Sequence, residues 1–162
     1  MVRFIDTDVT DARAHALLTD YFADRTRSFP VTQGGYSTNF PDRAAFTPPA
    51  GVFLVVVTDS SDDSDDAVGC GGIRRIEVGA TGGARYEVKH LWLKPQARGS
   101  GAGRALLNEL EARARGFDAT ELVLDTNVSL VAAAGLYRSS GFHEIAPYND
   151  NPNATTWFRK SL

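Results

Sequence analysis

The feature that most constrains this chain is the run Gln96-Ala97-Arg98-Gly99-Ser100-Gly101-Ala102-Gly103-Arg104, which joins two segments of opposite periodicity. Before it, Glu87-Val88-Lys89-His90-Leu91-Trp92-Leu93 reads as a strand; after it, Ala105 to Arg115 reads as a helix. Glycines at alternate positions let a ligand approach the backbone closely, because no Cβ stands in the way. At a helix start, the unpaired N–H groups and the positive end of the dipole converge on one point. The expectation is a phosphate site built mostly of backbone.

Two familiar phosphate loops do not fit. The Walker pattern needs Lys-Ser or Lys-Thr after its last glycine, and Gly103 is followed by Arg104. The dinucleotide pattern started at Gly99 needs a third glycine where Arg104 stands. What fits is Arg98-x-x-Gly101-x-Gly103, preceded by Leu91, Leu93 and Pro95; a shifted reading, Gln96-x-x-Gly99-x-Gly101, satisfies the bare pattern too. The first is preferred for the position of Pro95. This stretch resembles motif A of the GNAT acetyltransferases, whose loop binds the pyrophosphate of acetyl-coenzyme A.

The remaining chain is read for what surrounds that loop. Val2 to Ile5 is a short first strand. Thr10 and Asp11 can cap a helix to about Arg25, with Ala14, Leu17, Leu18, Tyr21 and Phe22 on one face. Ser28 to Pro49 is loop-rich, with a short helical piece near Asp42 to Phe46. Tyr36, Asn39, Phe40 and Arg43 in it are candidates for substrate contact, the alternative being a surface connector. Val52 to Thr58 and Ala67 to Val78 read as paired strands, the second weakened or bulged at Gly69, Gly71 and Gly72. Between them, residues 59–66 include five Asp and no apolar residue, a solvated hairpin loop without the glycine and glutamate of a calcium loop. Gly79 to Gly83 is a turn. On the Arg85 to Leu93 strand, alternation places Glu87, Lys89, Leu91 and Leu93 on one face and Val88, His90 and Trp92 on the other. Beyond the loop come a helix with Leu106, Leu107, Leu110 and Ala114 inward and closed near Gly116, a strand at Glu121 to Leu124, a helix from Ser129 to Ser139 closed by Gly141, and strands at Phe142 to Ile145 and Thr155 to Lys160.

This order predicts an α+β (mixed α/β) fold: a central, mostly antiparallel twisted sheet flanked by helices, as one domain over residues 1–162. It is also the GNAT element order. Leu136-Tyr137-x-x-x-Gly141-Phe142 resembles motif B of that family, and Tyr148-Asn149-x-Asn151-Pro152 with Trp157-Phe158 is similar to the C-terminal hairpin of its small bacterial members.

Composition narrows the partners. The chain has 162 residues and a net charge of −3, with no clustered Lys and Arg of a nucleic-acid surface. Cys70 is the sole cysteine, so no internal disulfide forms and a reducing, cytoplasmic setting is expected. No run of ~18 apolar residues marks a membrane span. His15, His90, His143 and Cys70 lack metal-ligand spacing, so no metal is expected; Cys70 is read as a packed strand residue. Without a nucleophile elbow, direct transfer is expected rather than a covalent acyl-enzyme.

The resemblance implies an N-acetyltransferase moving an acetyl group from acetyl-CoA to a primary amine of a small molecule, amino acid or peptide. It implies that the backbone of Gly99, Ser100, Gly101, Ala102, Gly103 and Arg104 cradles the diphosphate, with charge from Arg98 and Arg104. Main-chain groups of Leu91, Trp92 and Leu93 would bind the pantetheine arm, and one of their N–H groups would polarise the thioester carbonyl. Tyr137 would protonate the leaving thiolate. Glu87 is the first candidate for the base, by its face with Leu91 and Leu93, and Asp125 the second. Many members carry Asn seven residues before the tyrosine; here Leu130 stands there, and Asn127 is the candidate to replace it. A homodimer is left open. The alternative function is a non-catalytic acyl-CoA sensor of the same fold.

Overall fold

A computed structural model describes residues 1–58, 66–78 and 82–162. The acidic loop at 59–65 and residues 79–81 of the expected turn lie outside the described residues. Seven strands form one sheet in the order β1-β2-β3-β4-β5-β7-β6: β1 Val2–Asp6, β2 Gly51–Thr58, β3 Asp66–Ile76, β4 Ala84–Leu93, β5 Ala119–Thr126, β6 His143–Ile145 and β7 Thr156–Ser161. Every pairing is antiparallel except β4 with β5. The helices are α1 Ala12–Ser28, α2 Ala102–Gly116 and α3 Val131–Ser139.

The sheet has two apolar faces, which is why β2 is a continuous buried run rather than an alternating one. On one face, Leu106, Leu107 and Leu110 of α2 and Tyr137 of α3 pack on Leu54, Tyr86, Leu122 and Phe158. On the other, Leu17, Leu18 and Phe22 of α1 and Phe46 of a 3-10 turn pack on Phe53, Val55 and Trp92. Asp11 caps α1, its Oδ1 accepting from Arg13 N at 2.8 Å. Thr10 instead bonds Asp8, and the helix runs three residues past the expected end, to Ser28.

The expected alternation along β4 fails at its middle. His90 adopts φ 56°, a left-handed conformation that non-glycine residues enter rarely, and the β3–β4 register shifts opposite it, between Cys70 and Gly72. This bulge adds one residue and reverses the parity of everything after it. Val88, Leu91 and Leu93 therefore face α2 and α3, while Trp92 and the His90 ring face α1. Glu87 does not share a face with Leu91 and Leu93, as alternation had predicted; it pairs across the sheet with Arg74 on the α1 side. The glycines of β3 leave space on both sides of this region: a Cβ on Gly71 would stand 3.4 Å from Leu91 Cα, just past the bulge, and one on Gly72 would stand 2.8 Å from the Phe46 ring.

Candidate active site

Strands β4 and β5 diverge. Their pairing ends at Glu87↔Val123, yet β4 continues to Leu93 and β5 to Thr126. The gap opens into a cavity of about 540 Å³, lined by Val88 to Leu91 on one side, by Asp125, Thr126 and Asn127 on the other, and by Tyr137 from α3. Lys94 N–H bonds Val68 C=O at 2.8 Å, towards β3. Strand alternation then turns the amides of Leu93 and Leu91 the other way, to the open edge, and leaves that of Trp92 facing β3. Trp92 contributes its side chain instead, with Nε1 donating to Asp24 at 2.9 Å.

The strand–loop–helix passage follows. A 3-10 turn at Pro95–Ala97 leads into Gly99 at φ 77° and Gly101 at φ 87°, and Gly101 caps α2 in the left-handed conformation. No atom lies within 4 Å of a Cβ built on either, so backbone conformation, not crowding, selects glycine there. The first α-helical bond is Ala105 N–H to Gly101 C=O. Ala102, Gly103 and Arg104 thus present N–H groups without a partner inside the helix, apart from a long 3.4 Å contact from Ala102 N to Ser100 Oγ. The two arginines beside the loop are engaged with protein. Arg98 donates to Leu93 O at 3.0 Å and Asp24 at 2.9 Å. Arg104 donates to Ser139 and Ser140, tying the start of α2 to the end of α3.

Tyr137 lies where the gap meets α3, 7% exposed, its ring packed on Phe142 and Phe158. Among the described residues its hydroxyl has no hydrogen-bond partner, and burial pushes its pKa up to about 12. The phenol therefore keeps its proton at any ordinary pH, and its O–H is free to donate a hydrogen bond.

Two carboxylates stand on the other side of the gap, and the structure separates their positions. Glu87 is 1% exposed and lies behind the cavity wall. Its Oε1 accepts from Arg74 Nε and Nη2 at 2.9 and 2.8 Å, and its Oε2 accepts from the Tyr148 hydroxyl at 2.7 Å. Asp125 lines the cavity itself, where it accepts from Asn149 at 2.8 Å and meets Lys89 Nζ at 3.3 Å. Trp157 Nε1 holds Asn149 in turn, at 2.8 Å. The hairpin segment singled out in the sequence thus supplies the frame of the acidic site. Asn127 is buried, but its amide donates to Gln33 and to Asn153 O, and its Oδ1 closes a turn with Ser129 N. Leu130 lines the cavity.

His90, in the sequence a strand residue without metal-ligand spacing, lines the cavity too. Burial, with the nearby Lys89 and Arg74 charges, pushes its pKa down to about 3, so it is a neutral imidazole, and its buried Nδ1 has no partner among the described residues. The three β3 glycines were the available signal, since a bulge in β3 or β4 displaces this position. Lys89 and Arg74 were also missed, and nothing local in the sequence marks them; Asn149 was singled out only as part of the hairpin motif. Cys70 is fully buried, its thiol pushed up by burial and its Sγ turned to His90 O, as expected of a packed residue. Among the described residues no cluster of three or more His, Cys, Asp or Glu could hold a metal, and no helix is long and apolar enough to cross a membrane.

Comparison with known proteins agrees with this geometry. The model of the acetyltransferase (GNAT) family matches residues 5–142. An IAA acetyltransferase of Azospirillum brasilense is 38% identical over 85 residues, covering 52% of this chain and 53% of that protein. An uncharacterised N-acetyltransferase of Schizosaccharomyces pombe is 33% identical over 108 residues, covering 66% of this chain and 61% of its own length. The chain thus spans between about half and three fifths of these two curated relatives. Among solved structures, a Klebsiella pneumoniae protein provisionally named an acyl-CoA N-acyltransferase superposes with a TM-score of 0.75 at 28% identity, covering 100% of this chain and 98% of that one. An Elizabethkingia anophelis GNAT acetyltransferase, solved with acetyl-CoA bound, shares the fold at a TM-score of 0.63 and 13% identity, over 99% and 98% of the two chains. The family match over most of the sequence, joined to the diverging strands and the glycine-punctuated helix start, establishes that this chain belongs to the GNAT acetyltransferase family.

Proposed function

We propose that this protein transfers an acetyl group from acetyl-CoA to a primary amine directly, across the gap between β4 and β5. The observation that carries this reading is the opposition of two chemistries through one opening. Unpaired amides at the start of α2 and the Tyr137 hydroxyl lie on the α2–α3 face; the Asp125 carboxylate stands towards α1.

The parts divide the work as follows. The amides of Ala102, Gly103 and Arg104, with the positive end of α2, suit the diphosphate. The free edge of β4 at Leu91 and Leu93 offers the extended pantetheine arm a strand to pair with. One of those amides donates to the thioester oxygen as it gains charge; a donor of this kind is worth roughly 3 kcal/mol in other acyl transfers. The amine, of ordinary pKa ~10.4 if lysine-like or ~8 if an α-amine, must lose a proton before attack, and Asp125 receives it directly or through water. The nitrogen lone pair then forms the amide bond and the C–S bond breaks to release the thiolate. Tyr137 meets that thiolate with its O–H. Full transfer from a phenol near pKa 12 to an ordinary thiolate of pKa ~8.5 is uphill, so the hydroxyl acts chiefly as a hydrogen-bond donor to the developing charge. The leaving proton reaches sulfur finally from the amine by way of Asp125 or solvent.

The test is calorimetry of acetyl-CoA binding followed by thiol release with a panel of amines. Micromolar binding and amine-dependent release, cut sharply by Asp125→Asn, are expected. No affinity for coenzyme A or its acyl forms would overturn the reading, and binding without turnover on any amine would favour an acyl-CoA sensor.

A further inference from the structure

The cavity has two unlike walls. One is a chain of aromatic rings from α1 and the 29–43 segment: Phe22 lies 4.9 Å from Phe40 and 6.4 Å from Tyr36, and Tyr36 lies 5.5 Å from Phe29. His90 continues it, 5.6 Å from Phe22. The facing wall is polar, with Lys89, Asp125 and Asn149. Phe40 is stacked on His15 at 5.1 Å yet stays 48% exposed, so part of its apolar surface is open in the cavity.

The cations of the cavity differ in their partners. Arg74 is held by Glu87, and Lys89 by Asp125. Arg25, one helical turn after Tyr21, lines the same cavity with its guanidinium 5.3 Å from the Tyr21 ring centre, and among the described residues it forms no ion pair. Arg25, Asp125, Tyr36 and Tyr137 all line this one cavity, which puts the two charges around one shared space. Asp42 and Asp150 are exposed lining residues that favour an approaching cation, while the half-buried Arg25 guanidinium has no carboxylate partner among the described residues.

We propose that the acceptor is an amine that also carries an aromatic ring and a carboxylate, an aromatic amino acid being the simplest case: its ring lies on the Phe22–Phe40–Tyr36 wall, its amine at Asp125 and its carboxylate at Arg25. This identification rests on the transferase reading and narrows it. A polyamine would bring a second positive charge beside Arg25 and leave the ring wall uncovered, so it is disfavoured twice. A neutral aromatic amine would use the wall and Asp125 but leave the guanidinium unanswered.

The test is equilibrium binding of L-phenylalanine, phenethylamine, L-alanine and spermidine to the protein saturated with coenzyme A, with thiol release from acetyl-CoA measured separately for each. L-phenylalanine is expected to bind about tenfold or more tighter than phenethylamine and than L-alanine. Arg25→Gln should bring L-phenylalanine and phenethylamine to within about twofold of each other, and Phe40→Ala, at a half-exposed position that does not endanger folding, should weaken both. Spermidine or phenethylamine binding as tightly as L-phenylalanine would overturn the proposal, as would an Arg25→Gln protein with an unchanged preference. The two readings separate cleanly: selective L-phenylalanine binding without thiol release from any amine keeps the pocket assignment and ends the transferase. Turnover of spermidine without L-phenylalanine binding does the reverse.

Discussion

The Asp24 carboxylate and the Arg98 guanidinium meet at 2.9 Å, 74 residues apart in the chain, and fasten α1 to the loop that opens α2. Asp24 also accepts from Trp92 Nε1 and from Arg27, while Arg98 reaches back to Leu93 O on the open edge of β4. Arg98 therefore acts on the loop from beneath, as a strut. Asp24→Ala leaves the Trp92 indole N–H without its acceptor and the Arg98 guanidinium with Leu93 O alone. It should cost about 2 kcal/mol in urea unfolding and raise KM for acetyl-CoA severalfold with kcat little changed. Burial alone would raise the Asp24 carboxyl, but the hydrogen bonds from Trp92, Arg98 and Arg27 outweigh it and hold the pKa below its ordinary 3.8. A depressed carboxyl stabilises the fold above its unfolded pKa and loses that contribution as pH falls through the lower folded value. The stability gap between wild type and Asp24→Asn should accordingly narrow below about pH 3.8, which acid unfolding followed by circular dichroism would show.

Gly99 and Gly101 offer a test of conformation isolated from crowding, because a Cβ at either meets nothing within 4 Å. Each holds a positive φ, so Gly101→Ala should cost about 1–2 kcal/mol of stability or force the turn to reshape. Either outcome misaligns the α2 amides, and KM for acetyl-CoA should rise about tenfold or more, with Gly101→Asn milder because Asn tolerates the left-handed region. Gly103→Ala is the control: it sits inside the helix with 3.6 Å of clearance to Leu136 and should change folding little.

Most of the fold was legible because its signals are local. The 3.6-residue spacing in α1 and α2, the apolar run of β2 and the glycine-punctuated turn each occupy one contiguous stretch. The site was less so. Alternation along β4 failed at a single residue, His90, whose left-handed backbone carries no sequence mark of its own; the glycines that permit it lie on the neighbouring strand. That one bulge moved Glu87 off the face of Leu91 and Leu93. Likewise, Asn127 holds Gln33 and Asn153, and Asp24 holds Arg98, through tertiary contacts that no spacing rule encodes. Motif-bearing backbone could be read, whereas side-chain partnerships drawn from separate segments could not.

Tyr137→Phe removes a hydroxyl that no described residue engages, so folding should be nearly unaffected. If that hydroxyl meets the leaving thiolate, kcat should fall about 10²-fold with KM for acetyl-CoA within about twofold of wild type. With its pKa near 12, the phenol stays protonated through the working range. Wild-type kcat should therefore show no alkaline decline attributable to it below about pH 11, and a limb near pH 9 surviving in Tyr137→Phe would belong to another group.

Glu87 and Asp125 separate by opposite responses. Glu87→Gln removes the charge that Arg74 meets through two N–H donors, at a position 1% exposed, while an amide still offers Tyr148 an acceptor. The expected cost is about 2–3 kcal/mol of unfolding free energy, with kcat/KM for the amine within a few fold of wild type. Asp125→Asn changes little in the core, because Lys89 keeps Glu87 at 3.8 Å as a second partner. It should lower kcat/KM for the amine about 10²-fold, since no carboxylate then faces the substrate nitrogen. Urea unfolding and steady-state kinetics on both variants decide the assignment. A stable, inactive Glu87→Gln beside an active Asp125→Asn would move the base one strand over, from β5 to β4, and require the amine to approach beneath Lys89.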